Sequence, residues 1–176
     1  MKLMILDGNS IINRAFYGIR MLNAPDGTPT NAVYGFLSTF RRVFDLAQPQ
    51  AVCVAFDVHA PTFRHEQYAL YKAQRKPMPE ELAVQMPVLK DVLDAMNIPR
   101  YELAGFEADD LIGTISRKCE SAGWDCVVAT GDKDSLQLVT EHTTVKLIST
   151  RMGQTTTKDM TPESFREVYG FAPIHI

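Results

Sequence analysis

Three short stretches of the chain are apolar at every position. They cover residues 3–6, 51–56 and 126–129, and an aspartate follows each of them closely. Continuous apolar runs of this length, without alternation, are typical of strands buried on both faces, as parallel strands are. The pattern therefore predicts three parallel strands in the middle of a sheet.

Between these runs, apolar residues recur with the spacing of amphipathic helices. The stripes are formed by Val33, Phe36, Leu37, Phe40, Val43 and Phe44, by Leu89, Val92, Leu93 and Met96, and by Ala108, Leu111, Ile112, Ile115 and Cys119. Strands that alternate with helices predict an α/β fold with a mostly parallel central sheet flanked by helices.

Further elements are indicated in the second half of the chain. Residues 100–103 form a candidate strand, and residues 145–149 and 155–158 flank a Met-Gly-Gln turn, which predicts a β-hairpin. A helix is predicted to begin at the N-cap Thr161 and to end at Gly170. The apolar tail at 171–176 carries no stop signal, and we expect it to be a cut rather than a natural end.

Length and composition suit one domain with a sizeable core: 176 residues, 45% of them hydrophobic. No apolar run is long enough to cross a bilayer, so no membrane is expected as a partner. Three cysteines without a CxxC pair favour a reduced, cytoplasmic setting and small core residues. The net charge of −3 argues against a protein that coats nucleic acid with an overall basic surface. It is compatible with an acidic pocket beside a local basic patch.

The aspartates after the three strands are the first candidates for chemistry. Asp7, Asp57 and Asp132 each stand at or just past a strand end. Ligands of open parallel sheets bind beyond the carboxyl ends of the strands. A single aspartate at such a place is most often a turn or helix cap. Three strands that end alike favour a shared site.

A second acidic group, Glu107, Asp109 and Asp110, begins the helix predicted after residue 107, and the helical wheel turns it away from the core. Taken alone, it is more simply explained as a solvated helix start. Asp134 adds a further carboxylate on a Gly-Asp-Lys-Asp loop that Gly131 is expected to let turn tightly. Together, seven carboxylates are expected to converge at one sheet edge: Asp7, Asp57, Glu107, Asp109, Asp110, Asp132 and Asp134.

Such a cluster needs a cation, and all its ligands are oxygens, which favours Mg²⁺ or Mn²⁺ over Zn²⁺. Carboxylate sites of this kind most often serve phosphoryl chemistry with two ions. Residues 63–79 are basic and aromatic, and we expect them to leave the sheet layer as a partly helical excursion. They provide cations for phosphates and rings for bases, although an exposed amphipathic helix explains the same pattern. Nucleic acid is therefore the expected substrate, and Arg14 is placed to assist in phosphate binding.

Five motifs occur in order: Asp7-Gly8-Asn9-Ser10 with Arg14-Ala15-Phe16-Tyr17, Ala55-Phe56-Asp57, Tyr71-Lys72 with Arg75, Gly105-Phe106-Glu107-Ala108-Asp109-Asp110, and Thr130-Gly131-Asp132-Lys133-Asp134. This series resembles the 5′–3′ exonuclease (5′ nuclease) domain of bacterial DNA polymerase I, which is related to flap endonucleases. The resemblance implies a PIN-like fold over residues 1–176, with a helical arch near residues 63–79.

The resemblance also implies roles. Asp7, Asp57, Glu107, Asp109 and Asp110 would hold a first metal, and Asp132 and Asp134 would lie between two metal sites. From the arch, Lys72 and Arg75 would reach the scissile phosphate as catalytic residues, and Tyr71 could stack on the adjoining base. Arg14 and Lys76 complete the expected nucleic-acid contacts. The substrate would be DNA with a 5′ flap or 5′ end, in replication and repair, with a polymerase domain following in the same chain.

The sequence departs from the family in two respects. Lys76 stands where relatives often have proline or a small residue, which implies a local difference in the arch. The later aspartates that complete the second metal site, and the helix–hairpin–helix element that grips duplex DNA, are absent from this chain. We therefore expect a weakened second site and poor duplex affinity. Two alternatives stay open: a PIN-type ribonuclease, and a non-catalytic DNA-binding fragment. A phosphatase or nucleotide-binding protein ranks lowest, because the chain has neither of the usual glycine-rich phosphate loops.

Overall fold

A computed structural model of the protein describes residues 1–58 and 77–173. Within these ranges the strands are β1 Lys2–Asp7, β2 Ala51–Ala55, β3 Arg100–Tyr101, β4 Asp125–Thr130, β5 Thr143–Arg151 and β6 Gln154–Met160. The α-helices are α1 Gly8–Gly18, α2 Asn31–Ala47, α3 Glu80–Ala83, α4 Gln85–Ala95, α5 Ala108–Ser121 and α6 Pro162–Tyr169, and a 3₁₀ helix covers Lys133–Leu138.

The strands form one sheet in the order β3-β2-β1-β4-β5-β6. Every neighbouring pair is parallel except β5 and β6, which are antiparallel. The three apolar runs thus occupy the sheet's centre side by side, as the pattern predicts. The α/β fold with a mostly parallel sheet is confirmed.

The apolar core lies on both faces of this sheet because successive side chains of a strand point to opposite faces. One face packs against α1, α2 and α4 through residues such as Ile12, Phe36 and Leu89. The other packs against α5 and α6 through residues such as Ile112 and Phe165. All three cysteines, Cys53, Cys119 and Cys126, are free and buried in this second core, as expected for small core residues.

The elements at the end of the chain follow their local signals. At the hairpin turn, Met152 and Gly153 have φ of 50° and 75°. Two left-handed residues between strands are what a tight hairpin turn requires. In α6 the Thr161 hydroxyl accepts a hydrogen bond from the Ser164 N–H at 3.3 Å. Gly170, with φ of 79°, ends that helix. The predicted hairpin and helix are confirmed.

The structure differs from the predicted local structure at three places. The strand predicted at residues 100–103 ends at Tyr101, because its neighbour β2 ends at Ala55, the residue that pairs with Tyr101. Helix α1 was not predicted; it begins directly after β1, where the Asp7 carboxylate caps it by accepting from the Ser10 N–H. The segment after Asp132, expected to be a loop, is the 3₁₀ helix.

The predicted arch at residues 63–79 lies almost wholly outside the described residues; only residues 77–79 are described, and they lead into α3. In the described ranges, no helix combines the length and the apolar character needed to span a membrane.

Candidate active site

Asp7 is the central carboxylate of the sheet edge at which the parallel strands end. It is the last residue of β1 and is only 4% exposed. Its Oδ1 accepts the Ser10 N–H at 2.9 Å, and its Oδ2 accepts the Thr130 hydroxyl at 2.7 Å. A buried carboxylate needs such donors to stay ionised.

The pKa of Asp7 shows which charges lie near it. Burial raises this pKa above its ordinary value and is the largest cause; the hydrogen bonds from Ser10 and Thr130 lower it. The negative charges of Asp57 and Asp132 raise it further. The ends of β1, β2 and β4 therefore bring three of the predicted carboxylates into electrostatic contact.

Asp57 connects β2 to the beginning of α5. Its N–H donates to Asn9 Oδ1 at 2.9 Å, which ties it to α1. Its Oδ1 accepts the N–H of Ala108, the first residue of α5, at 2.7 Å. A carboxylate at a helix N-terminus interacts favourably with the free N–H groups and the helix dipole. Asp57 thereby brings the acidic start of α5 to the ends of the strands.

The residue before Asp57 determines how closely β2 and α1 approach. The fully buried ring of Phe56 packs against Gly8, the first residue of α1. A Cβ added at Gly8 would lie 2.3 Å from the Phe56 ring. Glycine at this position lets the ring occupy that space.

The start of α5 differs from its expected orientation at one residue. Asp109 is exposed and Asp110 is half-buried, as expected for carboxylates turned away from the core. Glu107, however, is buried, with 8% exposure. It is the N-cap of the helix and has an extended backbone, with φ of −91° and ψ of 161°, so the helical wheel does not describe its direction. Glu107 and Asp110 form a reciprocal capping box, in which the Glu107 N–H donates to Asp110 Oδ2 at 3.0 Å.

The segment after β4 carries Asp132 and Asp134 at the surface. The Asp132 N–H donates to the Thr130 hydroxyl oxygen at 3.0 Å, and the Asp134 N–H donates to Asp132 Oδ1 at 3.0 Å. The Thr130 hydroxyl thus connects Asp7 with the backbone of Asp132. Both aspartates lie at the start of the 3₁₀ helix, where Asp132 is the N-cap.

Gly131 is needed for a different reason from the one predicted. Among the described residues, the glycines with positive φ do not include Gly131, so a left-handed turn is not what requires it. Its absent side chain makes room for Arg14: a Cβ at residue 131 would lie 1.5 Å from Arg14 Nε. The Arg14 guanidinium donates from Nη2 to the Gly131 carbonyl oxygen. Arg14 therefore contacts the protein's own backbone.

The donor set suits a hard divalent cation, since the predicted ligands provide only carboxylate oxygens. In residues 1–58 and 77–173, no three His, Cys, Asp or Glu side chains are arranged to hold one ion. Several of the carboxylate oxygens accept hydrogen bonds instead, among them both of Asp7 and one each of Asp57 and Asp132. The chemistry of the donors and the shared sheet edge of Asp7, Asp57 and Asp132 are compatible with a divalent ion, and the metal-ligand assignment stays a prediction.

The predicted residues of the basic surface, Tyr71, Lys72, Arg75 and Lys76, lie outside the described residues. Their catalytic and nucleic-acid-binding roles stay predictions.

Three polar residues that the sequence analysis did not single out position the predicted ligands: Asn9, Ser10 and Thr130. A signal for the contact with the Ser10 N–H existed, since aspartate is a preferred N-cap residue whose carboxylate accepts from the backbone N–H two or three residues into the helix. No local signal marks Thr130, whose partner Asp7 is 123 residues away in the chain.

Comparison with known proteins decides the family. A family model described as 5′–3′ exonuclease, N-terminal resolvase-like domain, matches residues 2–170. The chain belongs to this family. Among curated relatives of this 5′–3′ exonuclease domain, DNA polymerase I of Caldicellulosiruptor bescii is 43% identical over 170 residues, and DNA polymerase I of Bacillus subtilis is 43% identical over 175 residues. The alignments cover 97% and 99% of this chain and 20% of each relative. The chain therefore spans about a fifth of the length of these relatives.

Solved structures support the same fold. The bacteriophage T5 5′-exonuclease with bound divalent metal ions (zinc) is 21% identical and superposes with a TM-score of 0.71 over 97% of this chain and 61% of that protein. The T5 flap endonuclease in a pseudo-enzyme-product complex with DNA and metal ions is 20% identical, with the same TM-score and coverage. At this identity the likeness shows the fold of the 5′–3′ exonuclease domain.

Proposed function

We propose that this 5′–3′ exonuclease domain is a divalent-metal-dependent nuclease that hydrolyses phosphodiester bonds in DNA, at 5′ ends and at 5′ flaps. The observation that carries the proposal is the convergence of Asp7, Asp57 and Asp132 at one sheet edge, where burial and mutual repulsion raise the pKa of Asp7. The relatives named DNA polymerase I support replication and repair as its setting, with a polymerase domain in the same protein.

The metal ligands would be the seven predicted carboxylates. Asp7, Asp57, Glu107, Asp109 and Asp110 would hold the first ion, and Asp132 and Asp134 would lie towards the second. Metal-bound T5 relatives support a divalent ion, and the all-oxygen donor set favours Mg²⁺ or Mn²⁺. When bound, two such ions activate a water and stabilise the leaving oxygen.

The residues of the chain would perform the remaining tasks. Thr130 and Ser10 hold the Asp7 carboxylate by hydrogen bonds, so that its oxygens keep a fixed direction at the sheet edge. Asp57 holds the start of α5 at the same edge. From the predicted arch, Lys72 and Arg75 would contact the scissile phosphate, Tyr71 would stack on a base, and Lys76 would add a phosphate contact.

We further propose that residues 1–176 act as the N-terminal, PIN-like part of the nuclease. The second-metal aspartates and the duplex-gripping element of the family would belong to the remainder of such proteins. A cytoplasmic location is proposed on the three free cysteines.

The activity test compares four substrates: 5′-labelled flap DNA, nicked duplex DNA, single-stranded DNA and single-stranded RNA, each with EDTA, Mg²⁺ or Mn²⁺. We expect cleavage of the DNA substrates near the 5′ end or flap junction, only with metal. Asp7→Asn should abolish it. Asp91→Asn is the matched control, because Asp91 is an exposed aspartate on α4 and is not among the predicted ligands.

Each alternative has its own outcome. Preferential cleavage of RNA would identify a PIN-type ribonuclease. Metal-dependent DNA binding without cleavage by any preparation would identify a non-catalytic fragment. Cleavage that Asp7→Asn leaves intact would contradict the proposed site.

A further inference from the structure

Both backbone groups of Gly131, a residue beside the acidic edge, are bound by side chains of α1. The Gly131 N–H donates to Ser10 Oγ at 3.0 Å, and the Gly131 carbonyl oxygen accepts from Arg14 Nη2. Ser10 and Arg14 are four residues apart, so they lie on the same face of the helix. We call Ser10, Arg14 and Gly131 together the Gly131 clamp.

The clamp depends on the missing side chain of Gly131. A Cβ there would lie 1.5 Å from Arg14 Nε, 2.3 Å from Cδ and 2.4 Å from Cζ. Atoms cannot approach to such distances, so any larger residue would force the guanidinium off the backbone. Gly131 is buried and Arg14 is half-buried. The arginine side chain therefore crosses the glycine at a place where water has little access.

Gly131 stands directly before Asp132, the N-cap of the 3₁₀ helix that also carries Asp134. The Asp132 N–H bonds to the Thr130 hydroxyl oxygen at 3.0 Å, and the Asp134 N–H bonds to Asp132 Oδ1 at 3.0 Å. The backbone N–H groups of Gly131, Asp132 and Asp134 are thus each bound by a side-chain oxygen. Since both carboxylates are exposed, these backbone contacts are what restrict their position.

We propose that Arg14 and Ser10 are positioning residues, which fix the backbone at Gly131 so that Asp132 and Asp134 face the metal site. The inference rests on the proposed function. It differs from the sequence-based expectation that Arg14 contacts a DNA phosphate, which stays a prediction, and the comparison of Arg14→Lys with Arg14→Ala distinguishes the two roles. Partners that orient metal ligands typically change metal affinity 10- to 100-fold when removed.

The test is a double-mutant cycle read by Mn²⁺ titration of the melting temperature, with the 176-residue chain. Arg14→Ala and Gly131→Ala should each raise the Mn²⁺ concentration at the midpoint of the titration, on the order of 10-fold. The Mn²⁺ midpoint of the double variant should be no higher than that of either single variant. In the double variant the methyl group added at position 131 meets no guanidinium, so the two losses do not add. Additive losses, or unchanged midpoints in both single variants, would overturn the proposal. Melting in EDTA checks that each variant is folded.

Arg14→Lys separates the two roles of the arginine, since lysine keeps the positive charge and lacks the planar fork. For a positioning residue, Arg14→Lys should bind Mn²⁺ as weakly as Arg14→Ala, while both bind flap DNA in EDTA as the wild type does. If Arg14 instead contacts a phosphate, Arg14→Ala should bind DNA more weakly, and the slope of log affinity against log salt concentration should fall by about 1. Arg14→Lys should then restore the DNA affinity.

A further measurement distinguishes failure of the clamp from failure of the metal site. If the wild-type protein shows no Mn²⁺ response, the proposed function fails, and hydrogen exchange then tests the clamp alone. The Gly131 amide should be protected in the wild type and should lose its protection in Ser10→Ala, which removes its acceptor, whereas the Gly113 amide inside α5 should not change. A Gly131 amide that exchanges equally fast in both proteins would overturn the clamp.

Discussion

The hydroxyl of Thr130 donates to Asp7 Oδ2 at 2.7 Å and accepts the Asp132 N–H at 3.0 Å. The hydroxyl has one proton to donate. Because its oxygen is the acceptor of the hydrogen bond from the Asp132 N–H, that proton points to Asp7. Asp7 and Asp132 stand at or beyond the ends of the adjacent strands β1 and β4, and this one fully buried side chain connects them.

Removal of that hydroxyl should destabilise the fold. Thr130→Val keeps the shape of the side chain and leaves Asp7 Oδ2 without its donor in a buried place. We expect a loss of about 1–3 kcal/mol in the free energy of unfolding. Urea denaturation measures it, with Thr157→Val in the edge strand β6 as the control. Equal effects of the two substitutions would show that the Thr130 hydroxyl is not a supporting group.

Substitutions at Asp57 should separate its structural and chemical roles. Asp57→Asn keeps an oxygen that can accept the Ala108 N–H, so its unfolding free energy should stay within about 0.5 kcal/mol of the wild type. Asp57→Ala loses this acceptor at the start of α5 and should lose about 1–2 kcal/mol.

The same two variants, melted with and without Mn²⁺, test the metal. In the wild type a saturating ion should stabilise the fold by about 2.7 kcal/mol when its concentration is about 100 times the Kd. Both variants should lose most of this gain because both lack the carboxylate charge. If Asp57→Asn gained as much as the wild type, the charge of Asp57 would have no part in binding.

Two glycine substitutions should have opposite effects. Gly8→Ala places a Cβ 2.3 Å from the Phe56 ring and should cost about 1–3 kcal/mol by overpacking. Gly113→Ala in α5 meets only Leu138 Cδ2, at 3.6 Å, and should stabilise the protein by about 0.5–1 kcal/mol through its helix preference. Thermal melts of both proteins give the comparison, and a neutral Gly8→Ala would contradict the packing of Phe56.

Alkaline pH should unfold the protein through its buried thiols. Burial raises the pKa of Cys53 from 9.0 to about 12 and also raises that of Cys126. Their raised values favour the protonated thiol in the fold, so this stability is complete below pH 9 and is lost as the pH rises towards 12. Each such thiol should lower the unfolding free energy by about 1.4 kcal/mol per pH unit in that window.

Urea titrations between about pH 8 and pH 11 measure this slope, and Cys53→Ala should make it shallower. The slope is compared rather than the absolute stability, because the substitution also leaves a small cavity. Rapid labelling of Cys53 in the native protein at about pH 8 would contradict its buried, protonated state.

The sheet could be predicted because each central strand is apolar on both faces, which leaves a continuous signal at residues 3–6, 51–56 and 126–129. The meeting of Asp7, Asp57 and Asp132 followed from the rule that parallel strands end at one edge. Helix α1 was missed because its buried stripe is weakly apolar: of Gly8, Ile11, Ile12 and Ala15, only the two isoleucines are large apolar residues.

Other parts of the site could not be predicted for physical reasons. The burial of Glu107 escaped the helical wheel because an N-cap has extended backbone angles. The partnership of Arg14 with Gly131 joins residues 117 positions apart, and no local pattern encodes it. The same holds for Thr130, whose role depends on the adjacency of β1 and β4.

The ring of Phe56 has neighbours on two different helices. It packs on Gly8 at the start of α1, and Lys90 Nζ on α4 lies 5.3 Å from its centroid. The Phe56 ring thus occupies the space that a side chain at residue 8 would need. In the evolution of this domain, a larger residue at position 8 would become acceptable only with a smaller side chain at position 56. A change to a larger residue at position 8 should therefore be accompanied by a change at position 56.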